Sequence, residues 1–428
     1  MNEYDSLRVQ RALSARGYAC TDIMEQADVI FINTCSVREK AEQKVHSFVG
    51  RLRKLKNRKP SLKIVVGGCV AQQLGEKLTE KFDHLDIVVG TRGVHAIGDL
   101  LDQHEWDRRQ RVHLPGDAPE DIPYEHGLPE KLSAKVTAPV TIMQGCSNFC
   151  TYCIVPHVRG PEKSRPPDHI LLEIQALESS GVREVLLLGQ NVNSYGKGLG
   201  ENTSFVDLLR RIQAETQLLR LRFTTSHPKD LTTELMEAFA ELPMLCKNLH
   251  LPFQSGSDRI LARMNRNYSS VDYLRKIDHL RRICPEMGLS SDVMVGFPGE
   301  TEEDFQDTLR LMERVRFDNL FSFQYSDRPM TQSVNFPHKI PKSIKTRRLT
   351  QLQALQARIT LEKNLAEIGK RHNVLAEGKS RSGDGQITGR TEQNRAVNFS
   401  GPLSAVGSLV RVEIKEAFSH SLKGQLIS

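Results

Sequence analysis

Val140-Thr-Ile-Met-Gln-Gly-Cys-Ser-Asn-Phe-Cys-Thr-Tyr-Cys153 is an apolar run that ends in three cysteines, Cys146, Cys150 and Cys153, within eight residues. Three thiolates hold three irons of a four-iron cubane and leave the fourth iron open for a substrate or cofactor. That pattern points to a redox enzyme. Structural zinc, with His157 as a fourth ligand, is the competing reading, but structural zinc cysteines usually come as two separated short-spaced pairs. Disulfides are disfavoured, because eight cysteines in 428 residues is a low density and no Lys- or Arg-led apolar stretch opens the chain.

Working outward, strands are predicted at Val140–Met143, Glu184–Leu188, Leu219–Phe223, Asn248–His250, Ser291–Val295 and Leu320–Phe323, separated by helical patterns. Six such repeats predict a partial TIM-type (β/α)6 barrel, whose chemistry sits at the carboxyl ends of its strands. Gln190, Asn191 and Asn193 follow one strand and face that end. Gly296 and Gly299 follow another, where a missing Cβ lets backbone approach a cofactor, although a turn before a helix starting near Thr301 explains them equally well. His227 and His250 lie at strand ends and are read either as ligand contacts or as structural histidines. Cys246 and Cys284 read as core thiols.

Upstream, β-branched runs at Asp28–Asn33, Lys63–Val66 and Asp86–Val89 predict a parallel α/β sheet. Two of these strands deliver Cys35 and Cys69 at their carboxyl ends, so the two thiols are expected to be neighbours. Tyr18 to Thr21 reads as a further short strand. Residues 103–135, with Pro115, Pro119, Pro123 and Pro129, read as a linker. A polar helix over 342–368 leads to short strands from Asn373 to Ile427, broken by glycines in the pattern of a small β-barrel. The expected domains are 1–109, 132–364 and 367–428.

The formal charge is +7, and residues 339–428 carry 16 Lys plus Arg against 7 Asp plus Glu, a net +9 that leaves the remainder near −2. A localised basic excess suits a polyphosphate partner, or simply a solvated helix face. Within the small barrel, Arg390, Asn394, Arg395, Arg411, Lys415 and Lys423 are the candidate RNA contacts. Hydrophobic residues make up 39% and charged ones 26%, the balance of a folded soluble protein, and no apolar run approaches the ~20 residues of a bilayer span. The expected location is the cytoplasm, with no membrane partner.

Cys146, Cys150 and Cys153, with Tyr152 before the last, resemble the radical S-adenosylmethionine signature. Leu188-Gly-Gln-Asn-Val-Asn-Ser-Tyr195, Phe223-Thr-Thr-Ser-His-Pro228, Leu249-His-Leu-Pro-Phe-Gln-Ser-Gly-Ser257 and Val295-Gly-Phe-Pro-Gly-Glu-Thr301 are similar to blocks of the tRNA methylthiotransferases of MiaB type. So are Asn33-Thr-Cys-Ser-Val-Arg-Glu-Lys-Ala41 and Gly67-Gly-Cys-Val-Ala-Gln72, while Gly389-Arg-Thr-Glu392 resembles a TRAM barrel. The resemblance implies insertion of a methylthio group at carbon 2 of N(6)-isopentenyladenosine at position 37, next to the anticodon. It implies two [4Fe-4S] clusters: one on Cys146, Cys150 and Cys153, and an auxiliary one using Cys35 and Cys69. It also implies S-adenosylmethionine held near Tyr152, Gln190, Asn191, Gly296 and Gly299, and no side chain as the catalyst itself. The implied partners are tRNA and an electron donor such as flavodoxin or ferredoxin, acting on a monomer. A radical suits the task, since carbon 2 of adenine is an unactivated C–H that no side-chain base deprotonates.

The chain departs from the resemblance at its start. Relatives open with a strand ending in a cysteine before Gln-Met-Asn, whereas this sequence begins at Met1-Asn-Glu-Tyr. The first auxiliary-cluster cysteine is therefore expected to be missing, with Cys20 a poor substitute. A start codon placed too far downstream is the first explanation and a truncated copy the second. As given, the chain is expected to cleave S-adenosylmethionine but to transfer little sulfur. Ser326-Asp-Arg-Pro-Met330 departs from the usual Ser-Pro-Arg-Pro-Gly. Two other readings stay open: a ribosomal-protein aspartate methylthiotransferase, and a catalytically impaired RNA-binding iron–sulfur protein.

Overall fold

In the computed structural model, described for residues 1–35, 39–106, 111–116, 135–200, 203–380, 383 and 385–427, the chain divides into two units. One comprises residues 1–130, 144–148 and 153–165, the other 131–143, 149–152 and 166–428. Most of the expected linker lies outside the described residues.

The first unit contains α1 (Asn2–Ser14), β1 (Val29–Thr34), α2 (Glu39–Arg58), β2 (Lys63–Gly68), α3 (Cys69–Leu74), α4 (Glu76–Lys81), β3 (Ile87–Val89), α5 (Ile97–Trp106) and β4 (Val112–His113). The strands form a parallel sheet in the order β1-β2-β3-β4. Alternation along β2 explains the layers: Ile64 and Val66 pack with Val45, Val49 and Leu52 of α2, while Val65 packs with Val9 of α1 and Ile97 of α5. Tyr18 to Thr21 is not a strand, contrary to expectation. It is coil in which Tyr18 and Cys20 are exposed, so no neighbouring strand rewards extension there.

The second unit begins with β5 (Thr137–Thr141), and the short strand β6 (Met143–Gln144) precedes the cysteine loop; helix α6 (Val155–Arg159) and strand β7 (Lys163–Ser164), after the loop, fall in the first unit. The second unit continues with α7 (Pro167–Ser179), β8 (Glu184–Leu188), α8 (Phe205–Glu215), β9 (Arg220–Phe223), α9 (Thr233–Glu241), β10 (Asn248–His250), α10 (Asp258–Arg263), α11 (Ser270–Ile283), β11 (Gly288–Val295), α12 (Glu302–Val315) and β12 (Asn319–Gln324). Its parallel strands form two sheets, β5-β8-β9 and β10-β11-β12, joined by a parallel bridge between Leu221 and Leu245. Helix starts are capped by side chains: Ser204, Ser269 and Thr301 each form a capping box.

After α13 (Lys342–Leu365), strands β13 (Arg371–Lys379), β14 (Gln386–Arg390), β15 (Ala396–Ser400), β16 (Leu409–Ala417) and β17 (Leu422–Leu426) close into a barrel. Val374, Ile387, Val397, Phe399, Val412 and Ile414 fill it. The turn between β14 and β15 meets the amino ends of the larger barrel's strands. Arg220, opening β9, donates to the carbonyls of Arg390 and Asn373 at 2.5 and 2.7 Å. Arg222 donates to the Thr391 carbonyl at 2.8 Å and to Glu184, opening β8, at 3.0 Å. Arg395 reaches Asp318, just before β12, at 2.6 Å and Glu367 at 2.8 Å.

Burial opposes ionisation of Glu367, yet His372, Arg395 and Lys370 hold its carboxyl down at about 2. A depressed carboxylate stabilises the fold above its ordinary value of 4.5 and loses that contribution as pH falls through about 2. Arg395→Ala, which removes the cation that the buried carboxylates of Asp318 and Glu367 share, is expected to cost about 3 kcal/mol in denaturant unfolding. It should also flatten the acid limb between these two pH values; a cost within 0.5 kcal/mol, about that of a surface substitution, would contradict this.

Candidate cluster and cofactor site

Register brings Cys35 and Cys69 together. Thr34 pairs with Gly68, so the two cysteines each follow a paired residue on adjacent parallel strands. The Thr34 hydroxyl donates to the Gly67 carbonyl at 2.6 Å and accepts from the Val70 N–H at 3.1 Å. Gly68 has φ +95°, and a Cβ there would lie 2.6 Å from the Thr34 carbonyl, so only glycine lets the strands end this close. Cys69 packs with Ile154 and Val158. The buried Arg159 pairs with Asp5 at 2.5 Å, and its charge lies near the Cys69 thiol. Cys20 is exposed.

Cys150 is held within the second unit. The turn after α10 grips the loop: Thr151 N–H donates to the Met264 carbonyl at 3.1 Å, the Thr151 hydroxyl to that of Arg263 at 2.9 Å, and Asn265 Nδ2 to that of Phe149 at 3.1 Å. Arg266 Nη1 donates to Cys150 Sγ at 3.6 Å. Phe149 and Asn265 both adopt left-handed backbone, with φ 46° and 56°. Tyr152 packs edge-on against Phe297. Cys146 and Cys153 stay tied to Cys150 by the shortness of the loop. Among the described residues, no three Cys, His, Asp or Glu side chains converge on a point that would hold a single ion. A cubane needs no such convergence, since it spreads its thiolates over separate corners.

At the carboxyl ends of β8 and β9 lies a group of buried polar atoms without protein partners: Gln190 Oε1, Asn191 Oδ1, both amide atoms of Asn193, Ser226 Oγ and His227 Nε2. Burying such atoms unpaired costs about 1–3 kcal/mol each, so their concentration marks a place for a polar ligand. Asn191 is oriented by its Nδ2 bond to Asp230 at 2.7 Å, and the Val192 N–H is fixed to the Thr225 carbonyl, where Thr225 has φ 71°. The donor set of the loop and these orphaned atoms fit an iron–sulfur cluster and a zwitterionic nucleoside cofactor.

Gly296 and Gly299 fit the second of their two expected readings, a turn before the helix. The Gly296 N–H donates to Glu300 at 2.6 Å and the Gly299 N–H to the His338 carbonyl at 2.8 Å, so neither amide remains for a ligand. A Cβ on Gly296 would strike the Lys345 side chain of α13, so close helix packing accounts for that glycine. The turn reading holds for both. His250 sits between Ser290 at 3.1 Å and Asp292 at 3.4 Å. Cys246 and Cys284 are buried, and burial pushes the Cys246 thiol up to about 11.

Residues 140–312 match the Radical SAM superfamily, residues 1–90 the uncharacterized protein family UPF0004, and residues 365–427 the TRAM domain. A tRNA-2-methylthio-N(6)-dimethylallyladenosine synthase of Syntrophobacter fumaroxidans is 60% identical over 428 residues, covering 100% of this chain and 94% of that protein. One from Syntrophus aciditrophicus is 49% identical, covering 100% of this chain and 92% of that protein. The chain belongs to this family of tRNA methylthiotransferases. The radical S-adenosylmethionine methyltransferase TsrM from Kitasatospora setae, solved with cobalamin and a [4Fe-4S] cluster bound, superposes with a TM-score of 0.59 at 17% identity over 77% of this chain and 74% of that one, a likeness of fold alone. Neither the protein-substrate reading nor the impaired RNA-binding one is favoured by these relatives.

Among the RNA candidates on this synthase-family chain, Arg395 is corrected. Its guanidinium is largely buried and committed to Asp318 and Glu367, because the turn carrying it docks on the larger barrel. Arg390 is tied to Glu377 at 3.3 Å and to Asn394 Oδ1 at 3.2 Å. Arg411 is exposed, while Lys415 and Lys423, also exposed or half-exposed, pair with Glu413 and Glu416 on the barrel surface. Sequence reading missed Arg266 and Arg159, both arginines outside any expected motif.

His227 accepts the Lys229 N–H on Nδ1 at 3.2 Å. Burial, then the charges of Arg266, Lys229, Lys276 and Lys197, push its imidazole down to about 2, so the ring is neutral and carries its proton on Nε2. Nitrogen-15 NMR of histidine-labelled protein is expected to show one histidine fixed as the Nε2–H tautomer from pH 5 to 8. A His227→Gln spectrum that retains that signal, or titration of His227 in this range, would contradict the assignment.

Proposed function

We propose that this chain carries out the reaction for which its relatives are named, adding a methylthio group to carbon 2 of N(6)-dimethylallyladenosine in tRNA. The observation that carries the reading at residue level is the pairing of a clamped three-cysteine loop with unsatisfied polar atoms at the carboxyl ends of β8 and β9. Cys146, Cys150 and Cys153 hold a [4Fe-4S] cluster in this reading. When bound, that cluster and S-adenosylmethionine supply the hydrogen-abstracting chemistry that an unactivated aromatic C–H requires.

The chain's own residues bind and orient. Gln190, Asn191, Asn193, Ser226 and His227 offer amide and hydroxyl groups plus the Nε2–H donor to polar cofactor or nucleoside groups, with Asn191 pre-set by Asp230. Tyr152, braced by Phe297, Ile260 and Met264, forms the apolar floor beside the loop and keeps water from it. Cys35 and Cys69 serve a second, auxiliary cluster for the transferred sulfur, at a sheet end that Gly68 keeps tight. Arg411, Lys415 and Lys423 present the small barrel's charge to the tRNA backbone. Acting on tRNA, the enzyme works in the cytoplasm as a monomer and takes electrons from a flavodoxin or ferredoxin class of donor.

Nucleoside analysis of tRNA from a strain lacking the gene tests this. The 2-methylthio nucleoside is expected to vanish, to return when the native gene is restored, and to stay absent when that gene carries Cys150→Ala; its persistence in the deletion strain would overturn the reading. Separately, Arg411→Ala and Lys415→Ala should each weaken tRNA binding and lower the salt slope by about one, whereas unchanged slopes would remove these residues from the interface.

A further inference from the structure

Arg266 is buried, yet among the described residues no carboxylate pairs with it. Its Nη2 donates to the Pro252 carbonyl at 2.7 Å, its Nε to the Tyr268 hydroxyl at 3.0 Å, and its Nη1 to Cys150 Sγ at 3.6 Å. The guanidinium carbon lies 5.2 Å from the Tyr268 ring centroid. Tyr268 is itself locked, donating to the Phe253 carbonyl at 2.9 Å, and His227 packs edge-on against its ring.

A cation taken out of water costs several kcal/mol unless an anion meets it. Three other buried arginines find theirs, Arg159 in Asp5, Arg222 in Glu184 and Arg348 in Glu300, whereas Arg220 is met by the carbonyls of Arg390 and Asn373. Around Arg266 the groups in contact are a carbonyl, a phenol and one thiol, so the charge is left for whatever the thiol becomes. Its carbonyl and phenol contacts fix the direction of the remaining N–H at Cys150, and the same turn supplies the three backbone and side-chain bonds that hold Phe149 and Thr151.

We infer that Arg266 is a positioning residue that aims a charge-assisted N–H···S hydrogen bond at the Cys150 thiolate and thereby raises the potential of the cluster held by Cys146, Cys150 and Cys153. This rests on the assignment of that cluster. A thiolate-bound cluster gains negative charge on one-electron reduction, and a fixed positive donor at one sulfur favours the reduced form. Arg266 thus belongs to the electron-accepting step rather than to substrate binding.

The test uses the full chain, anaerobically reconstituted, with iron and sulfide analysis and a dithionite-driven EPR titration of the signal that responds to added S-adenosylmethionine. Arg266→Met, which keeps the stem and removes charge and donors, is expected to make reduction about tenfold less favourable, a midpoint ~59 mV lower for a one-electron couple. Arg266→Lys, which keeps the charge but not the aimed fork, should fall between. A loaded Arg266→Met protein with the wild-type midpoint would overturn the inference. If the methionine variant does not fold, Arg266→Lys decides: a wild-type midpoint overturns the inference and a lowered one supports it. A wild-type chain that assembles no cluster on the three cysteines would instead overturn the underlying assignment.

Discussion

The structure turns on how a short, strained loop is made to present thiols in a fixed arrangement. Left-handed backbone at Phe149 costs about 1–3 kcal/mol, and such a loop would not hold its form unaided. The turn at 263–266 over-determines it, with bonds to Phe149, Cys150 and Thr151, and the Ser333 N–H adds a further bond to the Thr151 carbonyl at 2.9 Å. That turn is in turn fixed by α10, whose start is capped by Ser257 and whose Arg259 pairs with Asp304 of α12. Loop geometry therefore rests on helices of the barrel.

The two ends of that barrel are used in opposite ways. Its carboxyl end keeps polar atoms unsatisfied at Gln190, Asn191, Ser226 and His227, where a ligand can repay their burial. At its amino end Arg220, Arg222 and Asp318 are met by the small barrel, through backbone carbonyls and Arg395, while Glu184 Oε2 and Arg395 Nε stay without partners there. The small barrel is thus more than a basic appendage, since one of its turns closes the far end of the catalytic domain. This explains why its sequence block Gly389-Arg-Thr-Glu392 serves docking as well as any contact with RNA.

Most strands were legible as short runs of β-branched and apolar residues, as at Glu184–Leu188, which matches its expected limits; Asn248–His250 matches too, although only its central Leu249 is apolar. Cys35 and Cys69 were legible as neighbours for the same reason, each ending a strand of one parallel sheet. Tyr18 to Thr21 misled because local alternation says nothing about whether a partner strand exists. Arg395 misled because a basic residue on a turn looks free until tertiary contacts bury it. Arg266 was invisible for the converse reason: its meaning comes from a sulfur 116 residues earlier. Gly296 and Gly299 carried a true signal of special backbone, but the close neighbours proved to be Lys345, Glu300 and His338.

The central claim is that three thiols grip a cubane and leave one iron for a cofactor. Mössbauer spectroscopy of the chain reconstituted with iron-57, before and after S-adenosylmethionine, tests it most directly. The account predicts that one iron site in the cluster changes its isomer shift on addition while the thiolate-bound sites do not. An unchanged spectrum, or iron that is not in cubane form, would contradict it.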